Sequence, residues 1–145
     1  MVDNLYIQNT RFHHIGYACD DIEKFKSTFI PFSENKDFSL RYDDVGNNVK
    51  VGFLDLINGI KIELIETLDH NKMSPINKYI NLNSSGFHHI CFESKNFMDQ
   101  INSMKNDYLI VSLSDEGFEN RKISFFLPKS TKTGPLIEIV SLPIE

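Results

Sequence analysis

The chain has 145 residues, 41% of them apolar, with a formal net charge of −5 and a pI near 5.5. This composition supports one compact domain and excludes a disordered chain, and the absence of a basic block argues against nucleic acid as a partner. No apolar run approaches a membrane span, the opening "MVDNLYIQNTRF" lacks the order of a secretion signal, and Cys19 and Cys91 have no metal-type spacing, so a cytoplasmic protein with free thiols is expected.

In chain order, "RFHHIGYAC" reads as a strand. "DDIEKFKSTF" follows as a helix, with Ile22, Phe25 and Phe29 on one stripe. Asp20 and Glu23 have capping-box spacing at its start, and Pro31 ends it. A strand is expected around Phe38–Tyr42. "VKVGFLDL" and "IKIELIET" form a hairpin about Asn58-Gly59, a dipeptide suited to the tight turn. "MSPINKYINLN" reads as a short helical connection, with Ser74 as N-cap and Pro75 in the first helical position. The order then restarts: "GFHHICFES" as strand, "NFMDQINSM" as helix, then strands "YLIVSLS", "KISFFLPKS" and "PLIEIVSL". The expected architecture is α+β, a βαβββ module used twice. Residues 1–145 are read as a single domain, with module one at 11–70, a short helical linker at 74–82 and module two at 86–143.

A residue-by-residue comparison of the modules supports the repeat. His14 and His89 lie 75 residues apart, and so do Glu63 and Glu138. Neighbouring strand residues point to opposite faces. His13, Ile15 and Tyr17 share one face, as do His88, Ile90 and Phe92, and these bulky sets suit packing against the helices. The opposite face carries His14, Gly16 and Ala18 in module one and His89 and Cys91 in module two. In "IKIELIET" Ile62 and Leu64 face the helices and Glu63 faces away. In "PLIEIV" Ile137 and Ile139 face the helices and Glu138 faces away. His14, Glu63, His89 and Glu138 are therefore the candidate metal ligands, with His13 and His88 at the edge of the packed face. Two imidazoles and two carboxylates suit one zinc, nickel, cobalt, manganese or iron ion, with open positions for water or a substrate. The alternative is a duplicated fold whose matching residues are remnants of ancestry.

The segments "FHHIGYACDDIEKF", "VKVGFLDLINGIKIELIE", "SPINKYI", "GFHHICFES" and "FFLPKSTKTGPLIEIV" resemble the vicinal oxygen chelate (glyoxalase/bleomycin resistance/dioxygenase) superfamily. Within it they resemble methylmalonyl-CoA epimerase and lactoylglutathione lyase most. The resemblance covers about residues 11–141. It implies two paired βαβββ modules that form a curled sheet around a groove holding one divalent metal, and its ligands fall on His14, Glu63, His89 and Glu138. It also implies a homodimer acting on a small molecule. The implied chemistry is proton transfer next to a carbonyl through an enediolate, on an acyl-CoA thioester such as methylmalonyl-CoA, with Glu138 moving the proton. The alternatives are a lactoylglutathione-lyase-type enzyme, an Fe(II) dioxygenase, and a non-catalytic drug-sequestering protein. One departure stands out. Epimerases of this type carry a second acid–base glutamate just before "VKVGFL", where this chain has Asn47 and Asn48. Lys129, Ser130, Thr131 and Lys132, in the late loop, are candidates to meet a phosphate or carboxylate.

Overall fold

The computed structural model describes residues 9–77, 80, 85–114 and 117–143. The elements in chain order are β1 (Thr10–Ala18), α1 (Ile22–Phe29), β2 (Leu40–Asp44), β3 (Val49–Asp55), β4 (Lys61–Thr67), β5 (Gly86–Ser94), α2 (Phe97–Met104), β6 (Tyr108–Ser114), β7 (Ile123–Pro128) and β8 (Leu136–Ser141). The fold is mixed α+β, and the βαβββ plan occurs twice. Two compact units are formed, one from His14 to His88, the other from the described residues up to His13 together with those from His89 onward.

In the first unit the strand order is β2-β3-β4-β1. β1 pairs with β4 in parallel, Gly16 lying beside Glu63, while β4 with β3 and β3 with β2 are antiparallel. The hairpin between β3 and β4 turns at Asn58 and Gly59, whose φ values of 62° and 72° lie in the left-handed region that Asn tolerates and Gly enters freely. Ile22 from α1 packs with Leu54, Ile62 and Leu64, and Ile15, Tyr17, Phe25 and Phe29 close around them. The helix therefore covers the face predicted by alternation. Phe38 lies across Gly52, where an added Cβ would sit 2.5 Å from its ring. β2 begins two residues later than the sequence indicates, because Phe38 serves as this lid rather than as a strand residue.

Two helix details also differ from the expectation. The N-cap of α1 is Asp21, not Asp20; its carboxylate accepts from the Lys24 amide at 3.1 Å. Glu66, at the end of β4, accepts from the Ile22 amide at 3.0 Å, so a second carboxylate serves the same helix start. The helix gives way to a 3₁₀ turn, Ile30–Phe32, that contains Pro31.

In the second unit the order is β5-β8-β7-β6. β5 and β8 are parallel, and the remaining pairs are antiparallel. Phe97, Ile101 and Met104 of α2 bury Phe126 and Ile139, with Phe92, Tyr108 and Ile137 at the margin. Each of β2 and β6 has a strand neighbour on one side only, so neither unit closes into a barrel. Of the expected linker helix, Ser74 Oγ accepts from the Ile76 amide at 3.3 Å and the Ile80 amide donates to Ile76 at 2.8 Å; residues 78, 79, 81 and 82 lie outside the described residues. Among the described residues no helix is long and apolar enough to cross a membrane.

Candidate metal centre

Each unit holds one buried histidine–glutamate pair. In the first, His14 on β1 has no exposed surface, and its Nε2 lies 3.4 Å from Oε2 of Glu63 on β4. The strand neighbours of Glu63 are Gly16 on one side and Phe53 on the other. Gly16 leaves room for the carboxylate. Phe53 meets the His14 ring edge-on, with centroids 5.2 Å apart and planes at 86°. In the second unit, His89 on β5 is equally buried, and its Nε2 lies 2.8 Å from Oε2 of Glu138 on β8. The strand neighbours of Glu138 are Cys91 and Phe125. Phe125 meets His89 edge-on at 5.4 Å and 84°. Imidazole, carboxylate, small neighbour and edge-on phenylalanine thus recur in both units.

All four side chains lie opposite the helix-packed cores, and the structure brings His14 to Glu63 and His89 to Glu138. The phenylalanines were invisible to the register test. Phe53 and Phe125 lie 72 residues apart, not 75, because the hairpin from β7 to β8 is longer than that from β3 to β4. A comparison that let the hairpin length vary would have found them.

The chemistry of the donor set bears on a metal. A buried carboxylate is costly unless a partner or cation compensates its charge, and here two such carboxylates each face a buried imidazole. Imidazole nitrogen with carboxylate oxygen fits a borderline divalent ion. The neighbouring thiols offer less. Burial pushes the Cys19 thiol up to about 12, and it packs in the helix core with Ile22 and Leu64. Cys91 is fully buried beside Glu138.

Residues 13–125 match the Glyoxalase/Bleomycin resistance protein/Dioxygenase superfamily. The chain belongs to this superfamily. Its members include the vicinal oxygen chelate enzymes that the motifs resemble, and several solved structures share the fold. A hypothetical protein from Bacillus halodurans C-125 is 27% identical, with 94% of this chain and 96% of that chain covered and a TM-score of 0.79. Methylmalonyl-CoA epimerase from Mycobacterium tuberculosis is 17% identical over 100% of this chain and 94% of that one, at 0.78. The Streptomyces coelicolor methylmalonyl-CoA epimerase, solved with 2-nitronate-propionyl-CoA, is 23% identical over 92% and 97%, at 0.73. No curated protein matches the chain.

Against that superfamily background, three other expectations are refined. Asn48 offers no acid and points into structure. Its Nδ2 lies 2.9–3.1 Å from the carbonyls of Asp69, Lys72 and Met73, and its Oδ1 accepts from the Asp69 amide at 2.8 Å. Asn47 donates to Asp44 through both its backbone and side-chain nitrogens. The His13 ring lies 5.3 Å from Phe118, over which the Arg121 guanidinium also sits. His88 is buried. In the late loop, Lys129 Nζ donates to the Lys105 carbonyl at 2.9 Å and Thr131 Oγ1 to Thr133 at 3.1 Å. Lys129 thus satisfies a carbonyl at the end of α2.

Proposed function

We propose that the chain is a metal-dependent enzyme that moves a proton next to a carbonyl, with His14, Glu63, His89 and Glu138 as ligands of one divalent ion and an acyl-CoA thioester as substrate. The observation that carries this reading is the recurrence, in both units, of a buried His–Glu pair with an edge-on phenylalanine. Ancestry alone preserves a fold. It gives no reason to retain two costly buried carboxylates in the same register. When bound, the ion supplies Lewis acidity to a carbonyl oxygen, which eases loss of the adjacent proton. Glu138 takes that proton and returns it. Phe125, the strand neighbour of Glu138 on β7, packs edge-on against the His89 ring and holds that side of the pair in place. The imidazoles of His14 and His89 are held in orientation by their edge-on rings and by the strands that carry them.

A second reading is favoured by one observation. Asn48 is committed to the 69–73 segment, so the acid found at that point in the related epimerases is lacking. Proton removal and return by Glu138 alone is one-face transfer, as in a lactoylglutathione-lyase-type isomerisation.

The test is metal content after purification without added metal, with His89→Ala and the near-isosteric Glu138→Gln alongside. About one equivalent of a transition metal is expected in the wild type, with loss in both variants and circular dichroism unchanged in Glu138→Gln. Solvent deuterium should then enter acyl-CoA substrates at the α carbon. No metal in the wild type, and none taken up on reconstitution, would leave a binding protein in place of the enzyme.

A further inference from the structure

One row of side chains crosses the second unit from its histidine to its edge strand. Leu136 of β8 is the strand partner of His89. Leu127 of β7 comes one step beyond the Phe126–Ile137 pair and so stands beside Leu136. Leu109 of β6 is the partner of Leu127. Leu136 and Leu127 lie two residues from Glu138 and Phe125 respectively, so the row stands on the face of the candidate ligands and not on the face under α2. His89 is fully buried, Leu136 and Leu127 are half-buried, and Leu109 is 43% exposed. The row thus rises from the candidate centre to solvent, and every side chain in it after His89 is a leucine. Core packing does not account for it, because α2 covers residues of the opposite face, Phe126 and Ile139. In the first unit the corresponding places, 75 residues before Leu136 and 72 before Leu127, hold the ion pair of Lys61 and Asp55. The apolar row is therefore a feature of the second unit and not of the repeat.

We infer that Leu136, Leu127 and Leu109 seat an aliphatic chain of the substrate, attached to the carbonyl compound held at the candidate centre. The inference rests on the function proposed above and narrows its substrate to one whose acyl group is an extended hydrocarbon chain. Neighbouring strands lie about 4.8 Å apart, so the three spacings from His89 to Leu109 make a track about 14 Å long and one side chain wide. A flexible chain fits those proportions. A second protein does not, since a stable interface needs about 800 Å² from each partner and three part-covered leucines fall far short of that. Ile110 and Leu113, also exposed on β6, do not widen the track, because their partners Phe126 and Ser124 belong to the helix side. The next row along the strands is Cys91, Glu138, Phe125 and Ser112. The carboxylate therefore borders only the inner end of the track, which sets the reacting end of the substrate there and its chain outward. An apolar wall with a few polar groups at one place is the usual make-up of a small-molecule site.

Calorimetric titration with straight-chain carboxylic acids of four, six, eight and ten carbons tests this, on wild type, Leu127→Ser and Leu127→Met, each with its metal content measured. The carboxylate is a common polar head, and only the chain varies. In wild type the affinity should rise about twofold or more for each added methylene. Leu127→Ser should flatten this rise with metal content unchanged, and Leu127→Met should keep most of it. No rise in wild type, or a rise undiminished in Leu127→Ser, overturns the track, and a metal content of about one equivalent then leaves the proposed enzyme standing. A rise that depends on Leu127 in a protein that takes up no metal keeps the track and removes the enzyme reading. Sedimentation of wild type and Leu109→Ser addresses the other occupant: a dimer that the serine variant dissolves means that a second copy covers the row, and overturns the inference.

Discussion

Asn48 shows how a single side chain can remove one chemistry while securing a fold. Its backbone is left-handed, with φ of 57°, a conformation asparagine bears better than most residues. Its amide is a clasp on the 69–73 segment, donating to carbonyls and accepting from the Asp69 amide. A carboxylate there would face three carbonyl oxygens with no proton to offer. Asn48→Ala should cost about 2 kcal/mol or more, from carbonyls left without a donor and from the strained backbone. Asn48→Asp should be worse than alanine, since it turns an attraction into a repulsion. Urea unfolding of the three proteins at neutral pH gives the order; an aspartate variant as stable as the wild type would refute the clasp. The sequence located the departure at Asn47 and Asn48 but not its cause, because the partners lie some twenty residues on and a side chain bound to backbone leaves no pattern in residue types.

At the scale of elements, period-two alternation carried most of the information. It sorted Ile15, Tyr17, Ile62 and Leu64 to the helix side and His14 and Glu63 to the other, because one face of each strand must be covered by a helix. The 75-residue register extended the same sorting to His89 and Glu138. Phe53 and Phe125 escaped because a three-residue change in hairpin length breaks a rigid register. Helix ends were read less well. Two aspartates in succession, Asp20 and Asp21, offer the same cap chemistry, and only the backbone turn decides that Asp21 holds the Lys24 amide. Asp21→Ala should therefore destabilise the protein by about 1 kcal/mol, while Asp20→Ala should change it little. Thermal melts of the two variants decide the matter. Glu66 at the Ile22 amide retains part of the capping, so the loss at Asp21 should fall short of unfolding α1.

At the scale of the chain, the second unit is tied by a charge cluster that draws on its first and last strands. Glu93 on β5 is buried and ion-pairs with Arg11 of β1 and with Arg121, whose Nη1 lies 3.0 Å away. Arg121 is itself buried, reaches the Ser141 carbonyl at the end of β8 at 3.4 Å, and lies over Phe118. Burial raises the Glu93 carboxyl, but the guanidiniums of Arg11 and Arg121 outweigh it and hold the group below its ordinary value. A carboxyl whose folded value is depressed stabilises the fold at pH above its unfolded value, and that contribution fades as pH falls through the folded value. The contribution should thus be complete near neutrality and decline once the pH drops below the usual glutamate range. Glu93→Gln keeps the shape and removes the charge, leaving buried Arg121 with only the half-exposed Glu119, whose Oε2 lies 3.8 Å from Nη2. The expected loss near pH 7 is about 3 kcal/mol, most of it through Arg121, since Arg11 is largely exposed. The gap between variant and wild type should then narrow in acid, because protonation deprives the wild type of the same charge. Urea unfolding at neutral pH and again in acid measures both numbers. A gap that stays constant with pH would mean that the Glu93 carboxyl is not the charge that joins these strands.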